Sequence, residues 1–404
     1  MSYVFNNEIK YSDSGNLDAF GRLRVSQTTT LLDVKHLHDK LPLFVDEVLS
    51  GSGTSSFTAS SVSMQTSSNN SYVIRQTIKA APYQSGKSQL VECSFSNFAP
   101  ETNVTKRVGY YTSGTASTYS ANLDGFFLES DGTTDLITFQ IWKTGTNILS
   151  VGTSSWYSTD YDVNLIDWSL TQLMFVDFQW LGVGRLRFYM VIDGLPRLFY
   201  AHTGINNLST VYMDSPNQPI RYEIRQSGVG SGSFDMICAG VSMEGSINSL
   251  YRTVAINDFT ERTLPTAGTT YAMLGVRLNS TTKYKGTSVN FSQIDILQTS
   301  NDNYLVTVQK APKLSSTPSW TSLPNTPLEY AFGIGTVSVV TSGFELSSVM
   351  GKSGALSVEK IDMSDSAFSL GYKIDETAEE WWICIQATSN NAKMRTGVNL
   401  KYYR

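Results

Sequence analysis

Two carboxylates lie among strand-forming and aromatic residues, where a pair of acids could cleave a glycosidic bond. They are Asp177 and Glu223. Glycoside hydrolysis needs one carboxyl group that stays protonated and a second that is ionised. In a strand, Arg221 and Arg225 share the face of Glu223, and neighbouring arginines hold a carboxylate ionised. The pattern therefore predicts a cross-strand ion pair on a solvated sheet, and we assign no catalytic residue.

The histidines are the other side chains that could do chemistry, as metal ligands. His36 and His38 each have an aspartate nearby, whereas His202 stands alone. On a strand His36 and His38 would share a face, but on a helix two residues apart they diverge. We expect a short helical turn before Pro42, so we interpret this pair as solvated polar side chains. The sequence therefore predicts no metal site.

Sequence signatures of enzymes are missing from the chain. It contains no G-x-S-x-G, no H-E-x-x-H, no Walker loop and no G-x-G-x-x-G at a strand–helix junction. We therefore predict a protein without cofactor and without enzymatic activity.

Aromatic side chains are the remaining candidates for ligand contact. Most tryptophans fall in alternating strands, which bury one face in a core. Trp156, Tyr157 and Trp168 fall in less regular sequence. We predict that these three are the residues that could stack on a glycan.

Composition limits the classes of function. The 404 residues are 41% hydrophobic and 16% charged, with a net charge of −5 and a pI near 5.3. This balance argues against sequence-independent binding to nucleic acid. Cys93, Cys238 and Cys384 are far apart, and we expect free thiols rather than disulfides. We see no secretory signal and no apolar run near the roughly 20 residues of a membrane span, so we expect synthesis in a cytosol and no membrane insertion.

The sequence predicts that the candidate residues are positioned mainly by β-strands. Short runs rich in Val, Ile, Thr, Tyr and Phe alternate with Gly, Asn, Asp and Ser, and no segment keeps a helical period over three turns. The clearest hairpin joins 173–181 to 185–194 through Gly182-Val183-Gly184. We predict an all-β fold with two antiparallel β-sandwich domains of jelly-roll type, at residues 31–255 and 256–404.

An extended arm is predicted to precede the domains, at residues 1–30. It is too short to make its own core, and terminal segments are usually loose unless something holds them. The alternation of arginines with apolar residues suits a strand with one polar and one apolar face. We predict a docking arm, with an ordinary first strand as the alternative. Its anchoring residues are Phe20, Gly21, Arg22, Leu23, Arg24 and Val25.

The chain resembles a family of tailed-bacteriophage virion structural proteins. The resemblance lies in four segments that occur in order: 18–26, 82–89, 177–188 and 216–224. It covers about residues 15–250, and the C-terminal block shows none. No catalytic residue comes with it.

The resemblance implies a non-enzymatic part of a virion, made in the host cytoplasm and anchored to a capsid or tail protein through the arm. Capsid, collar, baseplate and fibre all stay open as locations. Such parts usually repeat symmetrically, so we expect a homo-oligomer, and a trimer in a fibre or spike. The alternative is a carbohydrate-binding adhesin that recognises host surface glycans. A β-sandwich glycoside hydrolase is a third hypothesis.

Overall fold

The protein is described here by a computed structural model that covers residues 25, 27–114, 122–157, 161–246, 251–279, 286–333, 337–351, 358–363 and 368–403. These residues form strands, turns and two short 3₁₀ turns at Thr153–Ser155 and Val163–Leu165, without an α-helix. Every strand pairing among them is antiparallel. The predicted all-β class is confirmed.

The chain divides into two compact units. Unit 1 contains Met1–Thr77 and Tyr83–Asn248, and unit 2 contains Ile78–Pro82 and Ser249–Arg404. The sequence placed the boundary at 255/256, which would cut the strand Arg252–Leu264. In the structure that strand belongs wholly to unit 2.

The described residues of unit 1 form fifteen strands: β1 (Thr28–Lys35), β2 (Val45–Ser50), β3 (Thr54–Thr58), β4 (Ser61–Thr66), β5 (Tyr72–Thr77), β6 (Gln89–Ser96), β7 (Val104–Thr112), β8 (Asp124–Asp131), β9 (Leu136–Lys143), β10 (Thr146–Gly152), β11 (Gln172–Phe178), β12 (Arg185–Ile192), β13 (Leu195–Thr203), β14 (Ile220–Gln226) and β15 (Gly232–Glu244). One sheet has the order β13-β12-β11-β6-β15-β4-β3, with β1 also paired to β15. The other has the order β10-β9-β8-β7-β14-β5-β2.

The two sheets of unit 1 pack face to face. The rings of Phe139 and Phe188, one from each sheet, stack with their centroids 4.7 Å apart. Tyr222 of β14 donates its hydroxyl to the carbonyls of Ser94 and Cys238 in the other sheet, both at 3.1 Å. A buried Tyr hydroxyl needs such a partner. The two sheets are therefore joined by a polar contact in addition to their shared apolar core.

The segment predicted to hold a helical turn before Pro42 contains none: it begins in strand β1, which ends at Lys35, and continues as bends and coil. Residues of β1 pair with β15 from Thr28↔Glu244 to Lys35↔Cys238. A β-bulge after Thr30 lets Leu31 and Leu32 both be buried, although they are neighbours in the sequence. The helical prediction was wrong because a pairing about two hundred residues away decides the local structure.

The predicted hairpin is confirmed as β11 and β12, which pair from Phe178↔Leu186 to Met174↔Met190. Its connection is longer than the three residues that the sequence indicated. Gln179 donates its N–H to the Arg185 carbonyl at 3.1 Å, and Gly184 donates to Trp180 at 2.7 Å, so the turn closes tightly.

In unit 2, twelve strands lie within the part of the chain that the structure covers: β16 (Arg252–Leu264), β17 (Thr270–Leu278), β18 (Ser288–Gln298), β19 (Tyr304–Lys310), β20 (Lys313–Leu314), β21 (Thr321–Ser322), β22 (Leu328–Phe332), β23 (Val339–Thr341), β24 (Phe344–Gly351), β25 (Val358–Asp362), β26 (Glu380–Ala387) and β27 (Ala392–Tyr403). They form sheets of order β16-β27-β18-β25, β21-β22-β17-β26-β19-β24 and β20-β23.

The four-stranded and six-stranded sheets of unit 2 share one apolar core. Ile294 and Val398 come from the first sheet, and Ile383 and Trp381 from the second. The Phe291 and Trp381 rings meet across it at 5.0 Å. Unit 2 is therefore also an antiparallel sandwich, as predicted.

Gly275 of β17 makes room for a tryptophan of the neighbouring strand. A β-carbon on Gly275 would lie 2.5 Å from the ring of Trp382, its partner in the register. Trp382 is fully buried, and Trp320 packs edge-on against it at 5.5 Å. Glycine is required here by close approach rather than by an unusual backbone angle.

All three cysteines are free thiols, as expected, with Cys93 and Cys384 buried and Cys238 half-buried. In the part of the chain that the structure covers, no helix is long and apolar enough to cross a bilayer.

Candidate functional site

Three of the four segments that carry the family resemblance, 82–89, 177–188 and 216–224, meet around Tyr83 in unit 1. The Tyr83 N–H donates to Oδ1 of Asn217 at 2.7 Å. Its ring lies 6.1 Å from the rings of both Phe178 and Trp180. Motifs that are distant in sequence thus share one contact region. We call it the motif junction and define it as Tyr83, Ser88, Asp177, Trp180, Arg187 and Asn217.

The charged centre of the motif junction is an ion pair closed to solvent. Arg187 donates to the Asp177 carboxylate, and both side chains are almost completely buried. The two residues are direct partners in the register of β11 and β12. Ser88 donates its hydroxyl to the same carboxylate. A cross-strand ion pair is thus present at Asp177, but its partner is Arg187, which the sequence did not indicate, and the predicted solvated face is wrong because this part of the sheet is covered.

Glu223 stands in a second buried cluster, on the seven-stranded sheet. Arg221 lies 2.9 Å from its carboxylate, Arg225 forms a closer pair, and Arg107 lies 3.8 Å away. Burial alone raises the pKa of Glu223, but Arg225, Arg221 and Arg107 outweigh it and hold that pKa at about 2. Glu223 is therefore ionised at any physiological pH and has no proton to donate as a general acid.

Asp177 and Glu223 do not form a catalytic pair. They belong to different sheets, and each is bonded to arginine. Buried carboxylates with arginine partners are typical of structural ion-pair networks. The geometry at these residues supports a role in holding strands together.

Trp156 faces the core and not the solvent. It is 5% exposed, and its ring lies 5.5 Å from Phe188, 5.3 Å from Phe199 and 6.2 Å from Trp168. Its indole N–H donates to the Val151 carbonyl at 3.2 Å. A ring packed in this way has no free face for a sugar, so Trp156 is unsuited to the glycan contact that the sequence predicted for it.

Tyr157 differs from its neighbour, since it is 44% exposed. Its ring stacks on Tyr200 of β13, with centroids 6.0 Å apart and planes 26° apart. Trp168 is half-buried beside Phe98, at 6.1 Å. The sequence missed Tyr200, because only the folded sheet brings β13 beside Tyr157. The stacked pair gives unit 1 an aromatic surface that a ligand could contact.

Of the two histidines predicted to be solvated, His38 is and His36 is not. His36 is 1% exposed, at the end of β1, and the interpretation as a solvated residue was wrong for it. Burial, together with the nearby positive charge of Arg75, lowers the pKa of His36 to about 4. His38 is exposed. Among the residues covered by the structure, no three His, Cys, Asp or Glu side chains are grouped as metal ligands.

The predicted anchoring residues lie outside the described residues, with the exception of Val25, which is 87% exposed. Thr28 to Thr30 were assigned to the arm but belong to β1. The segment available for docking therefore ends before Thr28.

Comparison with known proteins gives no family. No protein-family model matches the chain, and no curated protein matches it significantly. Similar solved structures include the carbohydrate recognition domain of Emp47p, with 15% identity over 54% of this chain and 95% of that one and a TM-score of 0.35. A Bacillus licheniformis beta-glucanase has 12% identity over 53% of this chain and 98% of that one, with a TM-score of 0.34.

A protein of unknown function from Shewanella oneidensis MR-1 is similar as well, with 11% identity over 58% of this chain and 92% of that one and a TM-score of 0.37. At TM-scores this low, these likenesses carry no argument about what this chain does.

Proposed function

We propose that this chain is a non-enzymatic structural component of a bacteriophage particle, anchored to a capsid or tail protein by the segment before β1. The observation that carries the proposal is the motif junction. Segments 82–89, 177–188 and 216–224 carry the family resemblance, and they contact one another in the fold through Tyr83, Ser88 and Asn217. Motifs that contact one another maintain a shared scaffold, as expected of a building part.

The charge clusters support the absence of catalysis. Asp177 is bonded to Arg187, and three arginines hold the pKa of Glu223 at about 2 in spite of its burial. Glu223 therefore has no proton to donate at neutral pH, and the Asp177 carboxylate already accepts from Arg187 and Ser88. These residues stabilise the sandwich of unit 1, and the proposed contact with a capsid or tail protein is made by the segment before β1.

Removal of residues 2–24 tests the anchor. Because β1 begins at Thr28, this truncation leaves every described strand intact. We expect the truncated chain to be lost from purified particles of a phage whose own copy of the gene is replaced, as measured by quantitative mass spectrometry. Incorporation of the truncated chain at the full copy number would contradict the proposal.

A finer variant separates the two arginines from the rest of the arm. Arg22→Ala with Arg24→Ala should reduce incorporation, and Lys35→Ala with Lys313→Ala, two exposed lysines outside the segment before β1, serves as the charge-matched control. The unfolding temperature of each purified protein should be unchanged, which separates loss of docking from loss of folding.

Carbohydrate recognition is a second candidate function, and the exposed Tyr157–Tyr200 stack favours it. Aromatic faces that remain accessible offer apolar area with little loss of entropy on binding. Tyr157→Ala should then weaken binding to a glycan array. A wild-type protein that binds no glycan would exclude this function without affecting the anchoring proposal.

A further inference from the structure

Unit 2 carries a groove on the outer face of its four-stranded sheet. Its volume is about 450 Å³, and its lining residues are polar or charged: Ser292, Gln293, Lys360, Asp362, Asn399 and Lys401. We call it the polar groove. Ligand pockets typically measure about 300–1,000 Å³, so the polar groove is large enough for a small ligand.

Strand alternation builds the polar groove. In β27 Val398 and Leu400 are buried in the core, so Asn399 and Lys401 point to the opposite face. In β18 a bulge after Phe291 sets Gln293 against Asn399 in the register. The polar groove is thus attached to the core by the same strands that form it.

Amide groups arranged around one carboxylate form the floor. Gln293 donates to Oδ1 of Asp295 at 2.5 Å, and Asn399 donates to Oδ2 at 3.4 Å. A primary amide has two N–H donors and a carbonyl acceptor, and each of these bonds uses one donor. Ser292 donates its hydroxyl to the Asn399 carbonyl at 3.0 Å, which fixes the backbone beneath. The floor therefore holds oriented groups that can both donate and accept.

The charges around the polar groove balance. Lys360 and Lys401 supply two cations, and Asp295 and Asp362 supply two anions. A site for phosphate or another polyanion requires an excess of positive charge. The balance, together with the mixed donors and acceptors, fits a ligand that is uncharged and rich in hydroxyl groups, because each hydroxyl both donates and accepts.

An aromatic side chain lies near one of these cations. Tyr251 is 36% exposed, and Nζ of Lys401 lies 5.1 Å from its ring centroid. Gly397, the next outward position of β27 after Asn399, has no side chain, and a β-carbon there would lie 2.4 Å from Oδ1 of Asn257. Gly397 is buried, and the absence of a side chain there leaves room for the Asn257 amide beside the polar groove.

We propose that the polar groove binds a neutral oligosaccharide, with Gln293 and Asn399 bonding its hydroxyls and Lys360 at the rim. The ligand class rests on carbohydrate recognition, the second candidate function, but the site is in unit 2 and differs from the Tyr157–Tyr200 surface.

The test uses the full-length protein on a printed array of neutral hexose and N-acetylhexosamine oligosaccharides, followed by calorimetry with the strongest binder. We expect Asn399→Leu and Lys360→Met each to weaken binding at least about tenfold, as loss of hydrogen bonds to a ligand predicts. Lys313→Met, an exposed lysine outside the polar groove, is the matched control and should bind as the wild type does. Because Lys360 is exposed, Lys360→Met should fold normally. It therefore tests binding at the polar groove even if the Asn399→Leu protein unfolds.

Three results would overturn the inference, and they are distinguishable. Unchanged binding by both polar-groove variants, with loss in Tyr157→Ala, would place the glycan on unit 1 and keep carbohydrate recognition. Binding only to acidic glycans would remove the neutral ligand class. No binding to any printed glycan would remove carbohydrate recognition itself, and the polar groove with it.

Discussion

Asp177 and Arg187 face each other across β11 and β12, and their ion pair is excluded from solvent. Each charge is stable in the interior only because the other is present. Desolvation of a single charge costs several kcal/mol, and a buried partner is what offsets that cost. The motif junction is therefore a place where single substitutions should be far more harmful than double ones.

The first prediction concerns this pair. Arg187→Met leaves the Asp177 carboxylate buried without its cation, and we expect it to lower the free energy of unfolding by about 3–5 kcal/mol. Asp177→Leu combined with Arg187→Met should restore most of that loss. Urea denaturation measures both. Lys35→Met removes the cation from the exposed Lys35–Asp33 pair and should leave the urea midpoint unchanged. Equal effects of Arg187→Met and Lys35→Met would contradict the expectation.

The second prediction concerns acid stability. Burial lowers the pKa of His36 from 6.5 to about 4. Between pH 6.5 and pH 4 the imidazole of His36 is therefore protonated in the unfolded chain but neutral in the folded one. Stability should be complete above pH 6.5 and should fall by up to about 3 kcal/mol as the pH drops to 4. Urea midpoints between pH 7 and 4 measure this. His36→Gln should flatten the dependence, and the exposed His38→Gln should not. The same slope in both variants would disprove the assignment.

The third prediction separates structure from catalysis at Glu223. Glu223→Gln removes the anion that balances the buried Arg221, and we expect a loss of about 3–5 kcal/mol at pH 7. Because the folded pKa of Glu223 is about 2 and the ordinary value is 4.5, its contribution is present above pH 4.5 and fades as the pH falls towards 2. The gap in urea midpoint between wild type and variant should therefore shrink in acid.

Glu92→Gln, at an exposed position of unit 1, is the control for that experiment and should change little. A glucan hydrolysis assay completes it. Hydrolysis by the wild type that disappears in Glu223→Gln while the urea midpoint stays unchanged would show a glycosidase and would refute the structural role.

The fourth prediction concerns Gly275. Gly275→Ala would place a methyl group 2.5 Å from the fully buried Trp382 ring, and the ring must shift. We expect a loss of about 1–3 kcal/mol from this overpacking, read as a lower unfolding temperature with altered tryptophan fluorescence. Gly240→Ala, whose added methyl would meet nothing closer than 3.6 Å, should be nearly silent. A silent Gly275→Ala would mean that β17 and β26 separate easily.

The sequence was enough to predict strands whose apolar and polar residues alternate and whose pairing partner is close in sequence, such as β11 and β12. In the predicted hairpin, Met174, Val176 and Phe178 follow a period of two and so share one face, and all three are buried. The sequence could not predict which strand pairs with β1, because nothing near Leu31 indicates a pairing with Val241 or Cys238. The serines and glycines of residues 50–61 are typical of a loop, yet Thr54–Thr58 pairs with β4 as a hairpin.

The candidate sites were harder to predict than the fold. The sequence could suggest that Glu223 meets Arg221, two residues away, but not that the cluster is buried. Trp156 and Tyr157 are adjacent and equally aromatic, and only the folded chain separates the buried ring from the exposed one. The polar groove draws on β18, β25 and β27, whose side chains have no common sequence signal.

The first strand of each unit is held by its last strand. In unit 1 the register joins Thr28 to Glu244, and in unit 2 it joins Arg252 to Tyr402. Ribosomes add about 5–20 residues per second, so β1 waits on the order of ten to forty seconds before β15 is made. During synthesis the buried leucines of β1 stay uncovered, and each unit closes only once its final strand has left the ribosome. Premature termination within β27 would therefore disable unit 2 as a whole, because β16 and β18 would both lose their common neighbour.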